Sequence, residues 1–485
     1  MSNRIFFRPE KSVAADFIPF WWKGVYHLFY LRDWRDPANH GEGTPWWHIV
    51  TRDFVHFEDW GEALPRGGKE EQDLYVFTGC VFESAGVFHI FYTGHNPHFR
   101  KAGRPEQAVL HATSPDLRTW TKDTGFSFFA PVSQGYEPHD WRDPFVYRDE
   151  HRGEFGMLLA ARKTTGPGRN RGCTALATSP DLRTWTVREP FWAPDEYFTH
   201  ECPDLFRIGA WWYLVYSTFT ERSVTHYRMS RSINGPWLTP ANDTFDGRAY
   251  YAAKTAGNEK SRFAFGWLPT RNGEKDDGWW QWGGELVVHK LAQQPDGTLC
   301  VSPPKAVFAP FTKRQPVQPV SVLGVWKTGA RQFAANAVGR HSVFSLGPMP
   351  EECLVEMDML LEKGTAAAGV IFRADETFDS YYQLRLEPAN RRVVVDRWPR
   401  PGDQPFLLER PFPMKAGKPV RLLVLVSGTC LVAYANGSVA LSCRMYDHRA
   451  GRLGLFVTEG SARFSRVSVR TQGGSVPCAL QGENA

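Results

Sequence analysis

The chain offers no CxxC pair and no set of Cys and His at metal-ligand spacing; its eight cysteines are scattered. They are expected to be free thiols of a reducing compartment, and neither a metal nor a cofactor is expected. No window approaches 18 consecutive apolar residues, so nothing is expected to span a membrane. Met1 to Ser12 lack the apolar core of a secretion signal. A cytoplasmic location is therefore expected, with a secreted mature form as the alternative. Lys and Arg form no run, and the net charge is only +5, so there is no footprint for nucleic acid. A convincing amphipathic helical period is also missing.

Aromatic side chains are abundant, at 14% with 19 Trp. Such rings stack on sugars, but by count most should fill β-rich cores. At 485 residues the chain exceeds one ordinary core, so two domains are expected.

Repetition is the strongest pattern. One unit recurs as Val25–Tyr30, Val87–Tyr92, Glu154–Leu159, Trp211–Tyr216 and Arg262–Trp267. A second follows as His48–Phe57, Ala112–Trp120 and Ala177–Trp185, with a weaker copy at Met229–Trp237. Short aromatic and β-branched runs between Gly, Pro, Asn and Asp read as strands with tight turns. Five multi-strand copies predict a five-bladed β-propeller over residues 1–307, an all-β fold. Its innermost strands should begin near Asp16, Thr78, Asp143, Glu201 and Tyr251, where their starting ends face one another around the axis. A Pro-rich linker is expected over 308–320. Beyond it, Val355, Met357, Met359 and Leu361 alternate with other residues, as do Tyr382, Leu384 and Leu386. Val420–Val426 reads as a buried strand, and Asn436-Gly437 as a hairpin turn. These predict a β-sandwich over 321–475 and a frayed tail over 476–485.

Three innermost strands open on a carboxylate. Asp16 precedes Phe17-Ile18-Pro19-Phe20, Asp143 sits in His139-Asp140-Trp141-Arg142-Asp143-Pro144, and Glu201 sits in His200-Glu201-Cys202-Pro203-Asp204. Each alone reads as a turn or cap residue. Together, at equivalent places of one repeat, they read as a glycosidic site: one carboxyl protonates the leaving oxygen and another attacks the anomeric carbon or activates water. The two roles need different protonation states. Glu201, flanked by uncharged Cys202 and Pro203 and near Asp204, should have a raised pKa and act as proton donor. Asp16, after small residues, should stay ionised in an open pocket. Asp143, beside Arg142 and stiffened by Pro144, suits a fixed acceptor for sugar hydroxyls. His139, His200 and Asp140 crowd the same ends but read as surface or supporting groups rather than metal ligands.

These motifs resemble glycoside hydrolase family 32, the invertases, levanases and inulinases, whose relatives include the arabinan-cleaving family 43. Trp141-Arg142-Asp143-Pro144 is similar to the family's Arg-Asp-Pro motif, and Glu201-Cys202-Pro203-Asp204 to its Glu-Cys motif. Phe77-Thr78-Gly79-Cys80 resembles its Phe-Ser-Gly-Ser segment. The stretch Trp47 to Pro65 resembles the segment between the first two blades, and Trp282-Gly-Gly-Glu-Leu286 the segment that closes the ring. The resemblance implies a propeller with an appended sandwich and a retaining mechanism. In it Asp16 is the nucleophile, Glu201 the general acid/base and Asp143 the transition-state stabiliser. Arg142, Trp47, Phe77, Thr78, Cys202 and Trp282 are the expected substrate contacts. Further aromatics, Trp34, Trp141, Trp279 and Trp280, are weaker pocket candidates. The family's first motif, Asn-Asp-Pro-Asn-Gly, is reduced here to Asp16, and Leu31 stands where a Gln is usual. An inverting arabinofuranosidase and a non-catalytic carbohydrate-binding propeller are therefore the alternatives to a terminal β-fructofuranosidase.

Overall fold

The computed structural model describes residues 5–473, apart from 259, 401, 404, 405 and 416. The expected tail at 476–485, with Cys478, lies outside the described residues. The seven cysteines within them are unpaired.

Five antiparallel blades surround one axis. The first comprises Val13–Trp22, Val25–Asp33, Trp46–Thr51 and Phe57–Leu64, from axis to rim. The second starts at Tyr75–Ser84, the third at Tyr136–Asp149, the fourth at Glu201–Ile208 and the fifth at Tyr251–Gly257. The five innermost strands thus contain or open on the five residues expected from the repeat. The ring closes where Ala14 pairs with Gly284 across the first and fifth blades. There Leu286 N also donates to Phe7 O, at 2.8 Å.

The second repeated unit is turn chemistry. In Ser114-Pro-Asp-Leu-Arg-Thr-Trp120 the Ser114 hydroxyl accepts from Leu117 N at 2.9 Å, and Asp116 accepts from Arg118 N and Thr119 N at 2.9 and 2.8 Å. Asp181 accepts from Arg183 N and Thr184 N at the same two distances. Leu117 and Leu182 take φ of +66° and +63°, and Phe54 of the first blade takes +63°. Local side-chain acceptors replace the missing ladder bonds and hold the left-handed residue. These sequences recur because three blades need the same corner between third and fourth strands.

Beyond Ser302 the strands belong to one continuous sheet that folds over itself. Its spine is Arg452–Thr471, paired from Arg452 to Phe464 with Gln332–Pro348. On its other side it pairs with Ala367–Ala374 before Gly460 and with Cys353–Leu361 after it. Gly460 takes φ +135°, and a Cβ there would lie 2.5 Å from Thr365 Cα. Only glycine lets the strand turn that corner. Within the expected linker, Lys313–Gln315 pairs with the spine, and Val320–Leu323 pairs with Gln332–Pro348. Asn436 and Gly437 both take positive φ, +53° and +57°, between Cys430–Ala435 and Val439–Arg444.

The two units share a buried polar seam. Asp246 accepts from Ser442 N, from the Ser442 hydroxyl and from His289 Nε2 at 2.8, 2.5 and 2.9 Å. Arg444, fully buried, donates to the carbonyls of Leu268 and Pro269 at 2.6 and 2.9 Å, and pairs with Glu285. The sandwich therefore grips the second strand of the fifth blade from behind.

Candidate active site

The innermost strands do not run straight through their acids. Pairing slips between Ala15 and Ile18, between Glu201 and Asp204, and between Tyr251 and Lys254, and the third blade slips opposite Leu158–Ala160. Asp16 and Asp143 are themselves left-handed, with φ of +46° and +59°. In the fourth and fifth blades the left-handed residue is the next one, Cys202 at +51° and Ala252 at +49°. In the second blade the slip falls between Phe77 and Gly79, and a Cβ on Gly79 would lie 2.0 Å from Phe91 O. A bulge re-aims one side chain out of the pleat. Repeated around the ring, it turns one side chain per blade into a common space at the axis.

That space is a cavity of about 320 Å³. Asp16, Asp143 and Glu201 all line it, as do Phe77, Thr78, Arg142, Cys202 and Trp282. Trp47 does not. Its indole Nε1 donates to Asp59 at 2.7 Å, and its ring packs under Arg32, so its polar edge is anchored away from the cavity. Of the weaker aromatic candidates, Trp280 lines the wall, Trp141 is fully buried in the third blade and Trp279 is 70% exposed.

Each acid has distinct partners. Asp16 accepts from Thr78 Oγ1 at 2.7 Å and from Trp267 Nε1 at 3.0 Å, one bond on each oxygen. Glu201 accepts from Arg142 Nη2 at 3.0 Å and from Tyr251 Oη at 2.5 Å. Asp143 Oδ2 accepts from Cys202 N at 2.9 Å, while Asp143 N donates to Thr93 Oγ1 at 2.7 Å. Arg142 also reaches Asp140 at 2.7 Å, and its Nε lies 3.8 Å from Asp143. The Glu-Cys-Pro-Asp sequence continues the stitching: Pro203 O accepts from Lys254 Nζ at 2.9 Å and Asp204 from Thr255 N at 2.5 Å. Four consecutive residues thus tie the third, fourth and fifth blades at the axis.

Burial pushes Asp16 up to about 7; the Thr78 hydroxyl opposes this, and Asp143 and Glu201 add to it. Asp16 is part-buried and lines the cavity as expected, but the expectation that it stays fully ionised is corrected. Glu201 is also raised, first by burial, against the pull of Arg142 and with help from Asp143. Arg142 is held firmly charged by Glu201, Asp143 and Asp140 despite its burial. The Cys202 thiol is pushed well up by burial and by the neighbouring acids, so it stays protonated. With Asp16 and Glu201 both raised, the cavity tends to hold a proton near neutral pH.

A stability consequence follows. Asp16 has a folded pKa of about 7 against an ordinary 3.8, so the folded chain holds an extra proton between those values. Stability falls as pH rises through that window. Asp16→Asn removes the penalty. The variant is expected to be more stable than wild type at pH 8, by up to ~4 kcal/mol, and to show little gain at pH 4. Thermal unfolding of both proteins at the two pH values checks this. A destabilised Asp16→Asn at pH 8 contradicts it.

Several lining groups were not anticipated: Tyr251 and Trp267, which hold two of the acids, and Ser223, Phe219, Pro269 and Gln281. Tyr251 opens the fifth innermost strand, so its place in the repeat was the available signal. Trp267 stands 251 positions from the Asp16 it contacts, and only ring closure brings them together. His200 is fully buried, packed on Trp192 and Tyr216, and burial depresses it to about 3. His139 lies 3.6 Å from Glu106, and Asp140 pairs with Arg142. Among the described residues no three His, Cys, Asp or Glu side chains are grouped to hold a metal ion. Among the same residues no helix is long and apolar enough to cross a membrane.

Comparison with known proteins adds an independent line. Residues 7–303 match the family profile described as Glycosyl hydrolases family 32 N-terminal domain. The chain is 26% identical to a raffinose invertase of Escherichia coli over 412 residues, covering 78% of this chain and 81% of that one. It is 23% identical to a sucrose-6-phosphate hydrolase of Zymomonas mobilis over 471 residues, covering 91% and 86%. Its fold superposes on an exo-inulinase from Aspergillus awamori with TM-score 0.73 at 17% identity, covering 97% of this chain and 98% of that one.

Proposed function

The chain belongs to glycoside hydrolase family 32, and from that premise we propose that it is a retaining β-fructofuranosidase acting on terminal fructosyl units. The observation that carries this is the convergence of three carboxyls from the first, third and fourth blades on one cavity, two of them with raised pKa. In the first step Glu201 gives its proton to the glycosidic oxygen as that bond breaks. Asp16, once ionised, forms a bond to the anomeric carbon. In the second step Glu201, now anionic, takes a proton from water, and the water oxygen displaces Asp16. Asp143 has Oδ2 fixed by Cys202 N. Its other oxygen is left to accept from a sugar hydroxyl as positive charge grows on the ring. Thr78 and Trp267 hold both oxygens of Asp16, so the nucleophile needs little reorganisation.

A panel of sucrose, inulin, levan, an aryl β-fructofuranoside and an aryl arabinofuranoside tests the reading. Fructose release is expected, with the β-anomer formed first by proton NMR. An inverted first anomer, or turnover of the arabinofuranoside alone, overturns it in favour of the inverting arabinofuranosidase expected from the reduced first motif.

A further inference from the structure

A second chamber of about 590 Å³ adjoins the cavity and shares two of its walls, Phe77 and Trp282. It is built by the loop between the second and third strands of the first blade, residues 33–45, which carries the short helix Pro37–His40. Trp34 and Tyr75 give it aromatic surface. Thr44 also lines it, is only 4% exposed, and its hydroxyl has no hydrogen-bond partner. A buried hydroxyl left unpaired at a cavity wall is unusual unless something else reaches it.

The lining is charged with one dominant sign. Asp33, Asp36 and Glu42 face it, against Arg35 and His40. Arg35 is already engaged. Its guanidinium donates to Gln281 Oε1 at 3.0 Å and to Trp282 O at 2.5 Å, and thereby fixes the wall between the two spaces. Asp36 is held ionised by hydrogen bonds from Asn39. Glu42 accepts from His98 Nε2 at 3.0 Å and from the Tyr75 hydroxyl at 3.4 Å.

We propose that this chamber receives the leaving group, and that its carboxylates select a neutral sugar over one carrying a phosphate ester. The proposal rests on the reading above, in which the terminal fructosyl unit fills the inner cavity and the departing portion passes Phe77 and Trp282. Sugar hydroxyls donate to carboxylates and to the Thr44 oxygen, and ring faces pack on Trp34. A phosphate monoester brings a charge of about −1.5 to −2. It would meet three carboxylates, against Arg35, whose guanidinium is turned to Gln281 and Trp282, and His40, whose ring stacks on Trp34. Relatives of this chain include a protein named for hydrolysis of sucrose 6-phosphate, so the discrimination is not given by the family.

The test compares kcat/KM of the full chain for sucrose, for sucrose 6-phosphate and for an aryl β-fructofuranoside with a small leaving group, at low and high salt. Wild type is expected to prefer sucrose over its phosphate by at least ~10-fold, with the preference narrowing at high salt. Asp33→Asn/Asp36→Asn/Glu42→Gln should close that gap mainly through the KM of the phosphate. If the triple variant fails to fold, Glu42→Arg alone should shift the ratio in the same direction. Equal or better use of the phosphate by wild type overturns the proposal. So does a ratio that neither set of changes moves. Should the aryl fructoside turn over while either of those results is found, only this inference fails. If no fructoside turns over at all, the underlying reading fails and takes the inference with it.

Discussion

Glu201→Gln is expected to lower kcat on sucrose by about 10²–10⁴-fold, the usual worth of a positioned general acid, and Asp16→Asn by at least as much. The two losses should differ in kind. With an aryl fructoside whose phenol leaves without protonation, Glu201→Gln keeps most of its first-step rate. The glycosyl-enzyme then accumulates, because nothing activates water. A burst of phenol followed by a slow steady state, and a mass increase of one fructosyl unit on the intact protein, report that state. Asp16→Asn shows no burst with any substrate. Neither change should unfold the protein. In Asp16→Asn the amide keeps one oxygen for Trp267 Nε1, and its NH2 can donate to the Thr78 hydroxyl. In Glu201→Gln it keeps one oxygen for Arg142, while its NH2 can donate to the Tyr251 hydroxyl. Wild-type turnover in a folded Asp16→Asn would falsify the assignment of the nucleophile.

The acids were legible in sequence because the repeat indexes them. Once five strand units are aligned, Asp16, Asp143 and Glu201 fall at matching starts, and topology supplies the convergence. What holds them was not legible. The left-handed bulges at Asp16, Asp143, Cys202 and Ala252 leave no compositional mark, since none of the four is glycine. Without them the side chains follow the pleat and miss the axis. Tyr251 and Trp267 reach their acids across 50 and 251 positions. Such pairings depend on the final closure of the ring and on no local pattern. Trp47 is the opposite case. Its position in a family-like segment is right, yet its indole N–H finds Asp59 on the neighbouring strand. A partner on the adjacent strand holds the indole N–H, and Trp47 does not line the cavity. The Pro-rich stretch misleads in a similar way: prolines mark irregular backbone at 316 and 319, while Lys313–Gln315 between them and the propeller still adds to a sheet edge.

Removing Arg142 should cost as much stability as truncating a large buried aromatic in the blades. Arg142 is buried and donates to Glu201 and Asp140, with Asp143 close by. Arg142→Leu keeps some volume but strips the one guanidinium that lines the cavity among the described residues. Breaking a buried ion pair by removing one partner costs about 3–5 kcal/mol, because the other charge stays buried and uncompensated. The expected result is a denaturant midpoint lowered by that amount at pH 8, with unchanged slope. The deficit must depend on pH with a definite sign. Arg142 pulls Glu201 down against a pKa that burial raises. Without it the folded-state pKa of Glu201 climbs further above its unfolded value. The variant's folded state then binds a proton that the wild type does not, and its stability falls as pH rises through that window. Below the ordinary range of a glutamate the carboxyl is neutral in both states, and much of the difference should disappear. Arg142→Lys retains charge but not the forked geometry that serves Glu201 and Asp140 together, so it should lie between. A deficit that is the same at pH 4 and pH 8 would mean that Arg142 acts by packing alone, and that the acids at the axis do not depend on its charge.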